Sequence, residues 1–172
     1  TEHNLSLSGG MEKVNYRASV NYKSNQGLAI NSSFQEIMAR ANVNQKALNN
    51  MLEFNYDLSY SNTKSRWVDH SAFQQSMKYN PTMPIYADPS DPNYVKYGGY
   101  YQNFDKTGFS NPVGIAAQET RDGQDQTFLG SLRMTLTPIK GLKISGFGSY
   151  QIYNQVTGDY YPATSVAGNG AG

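Results

Sequence analysis

The sequence contains no cysteine and only two histidines, His3 and His70, which lie far apart. Disulfide frameworks and cysteine-based zinc or iron–sulfur sites are therefore excluded, and neither histidine has a partner at metal-ligand spacing. Fourteen basic and thirteen acidic residues leave a net charge of +1. Because nucleic-acid-binding proteins usually carry a clear basic excess, we expect no nucleic-acid partner.

Long apolar runs are also missing. The mean hydropathy is −0.63, and no stretch approaches the roughly 20 apolar residues that a membrane-spanning helix requires. Helical membrane proteins are therefore excluded. β-barrel membrane proteins stay possible, because alternating strands average out as polar.

Neither end of the sequence has the marks of a natural terminus. The chain begins at Thr1 with no basic-then-apolar signal segment. It stops in a glycine-rich run over 168–172 that is typical of a loop. We therefore expect the chain to be a piece of a larger protein.

The dominant pattern has a period of two residues. Over 14–23 an apolar residue occupies every second position, which predicts a strand with one apolar and one wet face. With its recurrences, this pattern predicts six strands, at 3–9, 14–23, 34–45, 51–61, 126–137 and 142–153. Most exceed the average globular strand of about 5–6 residues and match the ~9–11 residues of a membrane-spanning strand.

The better apolar faces of these strands contain no charged residue, although charged residues make up 16% of the chain. A lipid-facing surface accounts for this, because an arginine or lysine at the bilayer midplane costs about 2–4 kcal/mol. A β-sandwich with its apolar faces packed inward would show the same alternation. The predicted lipid-facing residues are Val14, Tyr16, Val20, Tyr22, Leu52, Phe54, Leu58, Tyr60, Leu132, Leu136 and Ile144.

The connections favour the membrane interpretation. Short turns join the strands in pairs, at 9–13, 46–50 and 138–141. The links between pairs are longer, at 24–33, at 62–125 and from 154 onward. Short turns at one end and long loops at the other are typical of outer-membrane barrels, whereas a long loop is unusual in a small soluble domain. Three tyrosines lie near the loop ends, as in an aromatic girdle: Tyr22, Tyr60 and Tyr150.

Six strands cannot close into a barrel, since the smallest bacterial barrels have about eight, and an open sheet edge is not tolerated in lipid. The predicted fold is therefore all-β, an antiparallel up-and-down transmembrane β-barrel. Residues 1–172 would supply only about six of its strands, together with a long extracellular loop over 62–125.

Several segments carry a family resemblance, in consistent order along nearly the whole chain. They are His3-Asn4-Leu5-Ser6-Leu7-Ser8-Gly9-Gly10, Val14-Asn15-Tyr16-Arg17-Ala18-Ser19 with Asn21-Tyr22, Asn44-Gln45-Lys46-Ala47-Leu48, Asn80-Pro81-Thr82-Met83-Pro84-Ile85-Tyr86, Asn111-Pro112-Val113, and Gly141-Leu142-Lys143-Ile144-Ser145-Gly146-Phe147-Gly148-Ser149-Tyr150-Gln151. In this order they resemble the SusC/RagA-type TonB-dependent transporters of Bacteroidota outer membranes. The specificity lies in the number and spacing of the segments.

The resemblance implies a barrel of about 22 strands in the bacterial outer membrane. It further implies an N-terminal plug, a SusD-like surface lipoprotein acting as a lid, and energy from the TonB complex through a TonB box ahead of the plug. The substrate would be a nutrient, an oligosaccharide or a peptide. Plug and TonB box are not in this sequence, so the chain would form barrel wall, facing outer-membrane lipids, and extracellular loops.

Catalytic and cofactor motifs are missing. The sequence has no Gly-x-Ser-x-Gly elbow and no Walker-type lysine, so we expect neither an enzyme nor a bound cofactor. Gly146-Phe147-Gly148 begins like a dinucleotide loop, but small residues in a strand explain it better. Asp88-Pro89-Ser90-Asp91-Pro92-Asn93 is a weak calcium candidate, because two prolines interrupt it and the spacing and closing glutamate of an EF-hand are missing. A repeated Asp-Pro turn is the favoured interpretation.

Aromatic residues cluster between 79 and 104. Such rings can stack on sugars or pack on peptide side chains, dock the lid, or pack the loop on itself. The candidates for contact with substrate or lid are Tyr86, Tyr94, Tyr97, Tyr100 and Tyr101, with Tyr79 and Phe104 beside them. Charged residues on the wet faces would be solvated or paired wall residues, or contacts to the plug; they are Arg17, Arg40, Glu53, Asp57, Arg133 and Lys143.

Two other functions stay open at this level. A soluble cell-surface β-sandwich that binds a ligand would need its apolar faces to meet each other. An outer-membrane enzyme would need a nucleophile and a base that this sequence does not show.

Overall fold

The computed structural model describes residues 1–102 and 110–168. Phe104 and the run 169–172 therefore lie outside the described residues. The strands are β1 (Glu2–Met11), β2 (Val14–Gln26), β3 (Ser33–Ala47), β4 (Leu52–Trp67), β5 (Thr120–Ile139) and β6 (Leu142–Tyr160). Two helices lie between β4 and β5, α1 (His70–Ser76) and α2 (Pro112–Gln118).

All six strands form one antiparallel sheet in the order β1-β2-β3-β4-β5-β6. Each strand bonds to its neighbours in sequence, which is the up-and-down arrangement, and the predicted fold class is confirmed. The strands run further than the alternation indicated, because polar residues at their ends continue the backbone ladder. The link between β4 and β5 is consequently 68–119 rather than 62–125, and it contains both helices.

Three short turns lie at one end of the sheet, which we call the turn end; the opposite end is the link end. In the first turn Met11 pairs directly with Val14. In the second, Leu48, Asn49 and Asn50 have φ values of 51°, 52° and 67°, a left-handed conformation that asparagine tolerates better than leucine. The third turn uses Gly141 at φ 92°, where a side chain would be strained.

The chain divides into two compact units. The sheet unit comprises Thr1–Asn25, Gln35–Lys64 and Gln124–Val156. The loop unit comprises the described residues of Gln26–Phe34, Ser65–Gly123 and Thr157–Gly172.

The sheet unit has no fully buried residue among those described. Neither face of its sheet is covered by a second sheet in residues 1–102 and 110–168. The alternative of a soluble β-sandwich, which needs two sheets packed face to face, is therefore not supported.

The loop unit has its own small core. Ala72 of α1 packs with Ile115 and Ala116 of α2, and Val68 lies against them. Within the described residues, neither helix is long and apolar enough to cross a membrane.

Candidate ligand-binding surfaces

The predicted tyrosine cluster lies in the loop unit but does not form a single exposed surface. Tyr86 and Tyr100 form an isolated antiparallel bridge, and their ring centroids are 5.6 Å apart. Tyr86 keeps 66% of its surface exposed, whereas Tyr97 keeps only 8%. Tyr100 and Tyr101 are half-buried. Tyr86 therefore offers the most ring surface to a ligand, and Tyr97 packs the loop.

Two glycines allow the tyrosines to pack in this way. Gly98 and Gly99 have φ values of 59° and 83°, which a residue with a side chain rarely adopts. Tyr94, which is half-buried, lies close over Gly99, so that a Cβ there would be 3.5 Å from its ring. The backbone N–H of Gly99 donates to Tyr94 O at 2.8 Å.

Asn111 holds this region together, and the sequence did not single out its role. It is 1% exposed, and its Nδ2 donates to the backbone oxygens of Ile85 and Tyr101 at 2.6 and 3.1 Å. Its Oδ1 accepts from Val113 N at 3.0 Å and so caps α2. One side chain thereby joins the segments on either side of the Tyr86–Tyr100 bridge to the start of a helix.

Asn111 is one of four Asx-Pro pairs in the loop unit, and all four form the same local turn. In each pair the side-chain oxygen accepts from the N–H two residues further on, at 2.8–3.0 Å. The pairs begin at Asn80, Asp88, Asp91 and Asn111. Proline has no N–H and fixes its own φ, which favours this turn.

The Asx-Pro geometry bears on whether residues 88–93 form a calcium site or a turn. Asp88 Oδ1 accepts from both the backbone N–H and the hydroxyl of Ser90, and the hydroxyl and backbone bonds lower the pKa of Asp88. Among the described residues, no group of three or more potential ligands is placed to hold a metal ion. The geometry favours the Asp-Pro turn over a calcium site.

Helix α2 also binds two other segments of the loop unit. Asn31, at φ 61°, donates through Nδ2 to Ala116 O and Ala117 O, both at 3.2 Å, at the end of the helix. Gln118 Nε2 donates to Tyr97 O at 3.2 Å and to Thr164 Oγ1 at 3.3 Å. The helix therefore connects the β2–β3 link, the tyrosine segment and the stretch after β6.

An ionic cluster surrounds Arg121. Its Nη2 lies 2.8 Å from Asp69 Oδ2 and donates to the Tyr161 hydroxyl at 3.0 Å, and its Nε lies 3.5 Å from Asp159 Oδ1. Asp69 also caps α1 through Ser71 N at 2.6 Å. Its acidic partners Asp159 and Asp69 lie 38 and 52 positions away in the sequence. No local sequence signal therefore pointed to Arg121.

Two carboxyl groups of this cluster have opposite pKa shifts. Burial raises the pKa of Glu119, and the nearby negative charge of Asp69 adds to the increase. Burial also acts to raise the pKa of Asp69, but hydrogen bonds from Ser71 and the charge of Arg121 outweigh it, so that the pKa of Asp69 is lowered.

The wet face of the sheet unit carries a hydrogen-bonded row of amides and acids. Asn42 Nδ2 donates to Asp57 Oδ1 at 2.5 Å, and Asn44 Nδ2 donates to Glu53 Oε1 at 2.6 Å. Arg133 lies over the ring of Phe147, at 5.3 Å from its centroid. Within residues 1–102 and 110–168, the ion pairs do not include Arg17, Arg40, Arg133 or Lys143.

The other face of the sheet unit carries the predicted lipid-facing residues. Seven of the eleven keep more than a third of their surface exposed, namely Tyr16, Val20, Tyr22, Leu58, Tyr60, Leu132 and Ile144. Val14, Leu52, Phe54 and Leu136 are half-buried by their neighbours. Their contact with lipid stays a prediction.

The remaining candidates have ordinary structural positions. His3 stacks on Tyr22 with ring centroids 6.5 Å apart, and the two residues are direct partners in β1 and β2. His70 is the first residue of α1 and is exposed. Gly146-Phe147-Gly148 lies inside β6, as expected for small residues in a strand.

Comparisons with known proteins agree with this fold. No protein-family model matches the chain. The chain is 35% identical to the TonB-dependent receptor SusC of Bacteroides thetaiotaomicron over 114 residues, which are 65% of this chain and 11% of SusC. It is 26% identical to the TonB-dependent receptor P26 of Formosa agariphila over 141 residues, which are 78% of this chain and 13% of P26.

A solved structure is also similar. The RagAB peptide importer in its "closed-closed" state contains a chain that superposes with a TM-score of 0.65 at 25% identity. The match covers 92% of this chain and 18% of that one.

The six-stranded antiparallel sheet and these matches point to one class: the chain is similar to part of the barrel of TonB-dependent transporters. Within that class, the resemblance to the SusC/RagA type is confirmed by SusC in sequence and by RagAB in structure. The chain spans between about a tenth and a fifth of the length of these relatives.

Proposed function

We propose that the protein containing this chain imports a nutrient, an oligosaccharide or a peptide, across a bacterial outer membrane in a TonB-dependent manner. This segment contributes barrel wall, and its loop unit lies on the extracellular side. The relatives support the proposal, because they are named as TonB-dependent receptors and as a peptide importer. None of these names describes an enzyme.

The observation that carries the proposal is a change of polarity along one face of the sheet. On β4 the face of Leu52, Phe54, Tyr56, Leu58 and Tyr60 continues with Asn62, Lys64 and Arg66. Asn62 Oδ1 accepts from Gln124 Nε2 at 2.8 Å. Further toward the link end, Arg66 forms a two-point ion pair with Asp122, at 2.7 and 3.1 Å.

This change is expected where a strand leaves lipid. An apolar band of limited height, bounded by aromatic rings, is typical of outer-membrane barrels. The change lies toward the link end, which carries the longer connections, and in such barrels the longer loops face the outside. The loop unit would then offer Tyr86 to the medium.

The partners follow from the proposed class. A SusD-like lipoprotein would cover the extracellular mouth, and the TonB complex would act on a plug through an N-terminal region of the full protein. The RagAB match supports a two-component importer. The remainder of the barrel would pair with the open edges of β1 and β6.

Substituting arginine on the apolar face of the full-length transporter tests the lipid contact. Leu58 is 48% exposed. Replacing Leu58 or Val20 with arginine should each cost about 2–4 kcal/mol within the bilayer. We expect Leu58→Arg and Val20→Arg to reduce the amount of transporter in isolated outer membranes severely.

The matched control is Ser59→Arg, because the neighbouring residue projects from the wet face of β4. It should assemble at the wild-type level. Normal assembly of both apolar-face variants, or equal loss in the Ser59→Arg control, would contradict the lipid-facing assignment.

A further inference from the structure

A polar pocket lies on the wet face of β1, β2 and β3, toward the link end of the sheet unit. We call it the β1–β3 pocket, and its volume is about 270 Å³. The residues that give it its chemistry are Glu2, Asn4, Asn21, Lys23, Glu36 and Arg40. They occupy alternate positions on their strands, so that their side chains share one face.

The pocket carries two acids and two bases but no aromatic ring. Glu2 is the direct partner of Lys23 in the β1–β2 register. Glu2 Oε1 also accepts a hydrogen bond from Asn21 Nδ2 at 2.9 Å, which fixes the position of the carboxylate. The formal charges of the four groups therefore cancel.

Arg40 carries the only guanidinium among the residues that line the pocket. In the part of the chain that the structure describes, its guanidinium takes part in no ion pair. It is exposed, whereas Glu36 and Lys23 are half-buried. A guanidinium offers a planar fork of donors that matches a carboxylate in two hydrogen bonds.

We propose that the β1–β3 pocket is a subsite for a short peptide, binding a free carboxylate at Arg40 and an ammonium group at Glu2 and Glu36. This inference rests on the proposed function in import and selects the peptide among its two substrate classes. Two charges of each sign complement a zwitterion. The cluster around Arg121 is different, since its guanidinium is already paired with two aspartates.

A neutral sugar fits the pocket poorly for two reasons. Sugar sites use aromatic rings as stacking surfaces, and no ring lines this pocket. A neutral ligand would also remove charged side chains from water without giving them a partner, which is costly.

The size of the pocket limits what it holds. Pockets for drug-sized ligands measure roughly 300–1,000 Å³, and about 270 Å³ lies just below that range. The pocket is therefore suited to a peptide of a few small residues, with Met38 as an apolar contact for its side chains.

Binding of tetra-alanine to the purified full-length transporter tests the proposal. Tetra-alanine with free ends should bind at least tenfold more tightly than N-acetyl-tetra-alanine amide or maltotetraose. Arg40→Gln should weaken binding of the free peptide about tenfold or more and hardly change binding of the amidated one. Glu36→Gln should weaken binding of peptides with a free amino group and spare N-acetylated ones.

Arg133→Gln is the matched control, because Arg133 lies on the same wet face, with its guanidinium over Phe147, and outside the pocket. It should bind free tetra-alanine like the wild type. Equal binding of free and blocked peptides, or equal losses in Arg40→Gln and Arg133→Gln, would overturn the proposal.

The peptide subsite and the proposed import function can be tested independently of each other. A transporter that inserts normally and takes up oligosaccharides but ignores free peptides overturns the peptide subsite and leaves outer-membrane import standing. Arg40→Lys keeps the positive charge, so it should retain part of the affinity for free tetra-alanine. Loss of affinity for every probe in that variant would indicate a structural role and would also overturn the proposal.

Discussion

The loop unit buries part of its apolar surface in a core of its own, whereas the sheet unit leaves its apolar surface exposed. Every fully buried residue among those described lies in the loop unit, and none lies in the sheet unit. The loop unit packs Ala72, Ile115 and Ala116 into a small core. The sheet unit leaves residues such as Leu58 and Ile144 exposed, so that its apolar face requires a covering from outside the chain.

Because of this difference, we expect the two units to respond differently to amino-acid substitutions. In the sheet unit the backbone ladder provides the internal order, and a substitution on the apolar face acts through the lipid that the proposed function requires. In the loop unit, a few side-chain hydrogen bonds hold short helices that would be unstable alone. Variants can therefore damage one unit while sparing the other.

The largest effect on the loop unit is expected from Asn111→Ala. The change removes the cap of α2 and leaves the oxygens of Ile85 and Tyr101 without their side-chain donor. Loss of the cap costs about 1 kcal/mol, and loss of the two further hydrogen bonds from the Asn111 amide adds about 0.5–1.5 kcal/mol each. We expect a local loss of about 3 kcal/mol, measured as faster amide exchange in 112–118.

Asn80→Ala is the control for Asn111→Ala. Asn80 forms the same Asx-Pro turn through Thr82, but it is exposed. It should change exchange in its own turn and leave 112–118 as in the wild type. Loss of outer-membrane assembly in Asn111→Ala would show that the two units do not respond separately.

A medium effect on the stability of the loop unit is expected from Gly123→Ala, because Gly123 of β5 lies against the ring of Trp67. A Cβ at Gly123 would lie 2.6 Å from Cη2 of the Trp67 ring. Overpacking of this kind costs about 1–3 kcal/mol. Gly123→Ala should therefore accelerate local opening near 120–123, measured by amide exchange.

Trp67→Leu should restore slow exchange in the Gly123→Ala background, because it removes the ring. Gly158→Ala is the open-space control, since nothing lies within 4 Å of a Cβ there, and it should be neutral or slightly stabilising. Similar acceleration in both glycine variants would rule out the steric explanation.

The sequence predicted the two units unequally well. The period-two pattern is local, so six strands and their order could be inferred from it. The strand ends could not, because polar residues such as Asn62 and Gln124 break the alternation while the ladder continues. The β1–β3 pocket needs the register of three strands, which alternation does not supply.

The loop unit was predicted least well, although one signal was present. Asn111-Pro112 is a cap followed by proline at the first helical position, a recognised helix start, and it was noticed only as part of a family resemblance. The five candidate tyrosines look equivalent in sequence. Burial of Tyr97 and exposure of Tyr86 depend on contacts between distant segments, such as Gln118 with Tyr97.

The smallest expected effect is on the pH dependence of the stability of the loop unit. It involves Glu119, which lies outside the spanning strands. Its pKa is raised above the usual value of 4.5, first by burial and then by the charge of Asp69. A raised carboxyl pKa means that the folded loop unit favours the protonated form. The resulting penalty is absent below the ordinary pKa, grows as pH rises from the ordinary pKa to the raised one, and stays constant above that.

Glu119→Gln should consequently slow amide exchange in 112–118 relative to the wild type at neutral pH, with a smaller difference near pH 4. Asp69 works in the opposite direction, because its lowered pKa gives stability that is lost only as pH falls below the ordinary value of 3.8. Asp69→Asn should therefore accelerate exchange at neutral pH. Glu12→Gln, in the first turn of the sheet unit, should do neither. Equal behaviour of Glu119→Gln and wild type at both pH values would mean that the buried Glu119 carboxylate does not destabilise the loop unit.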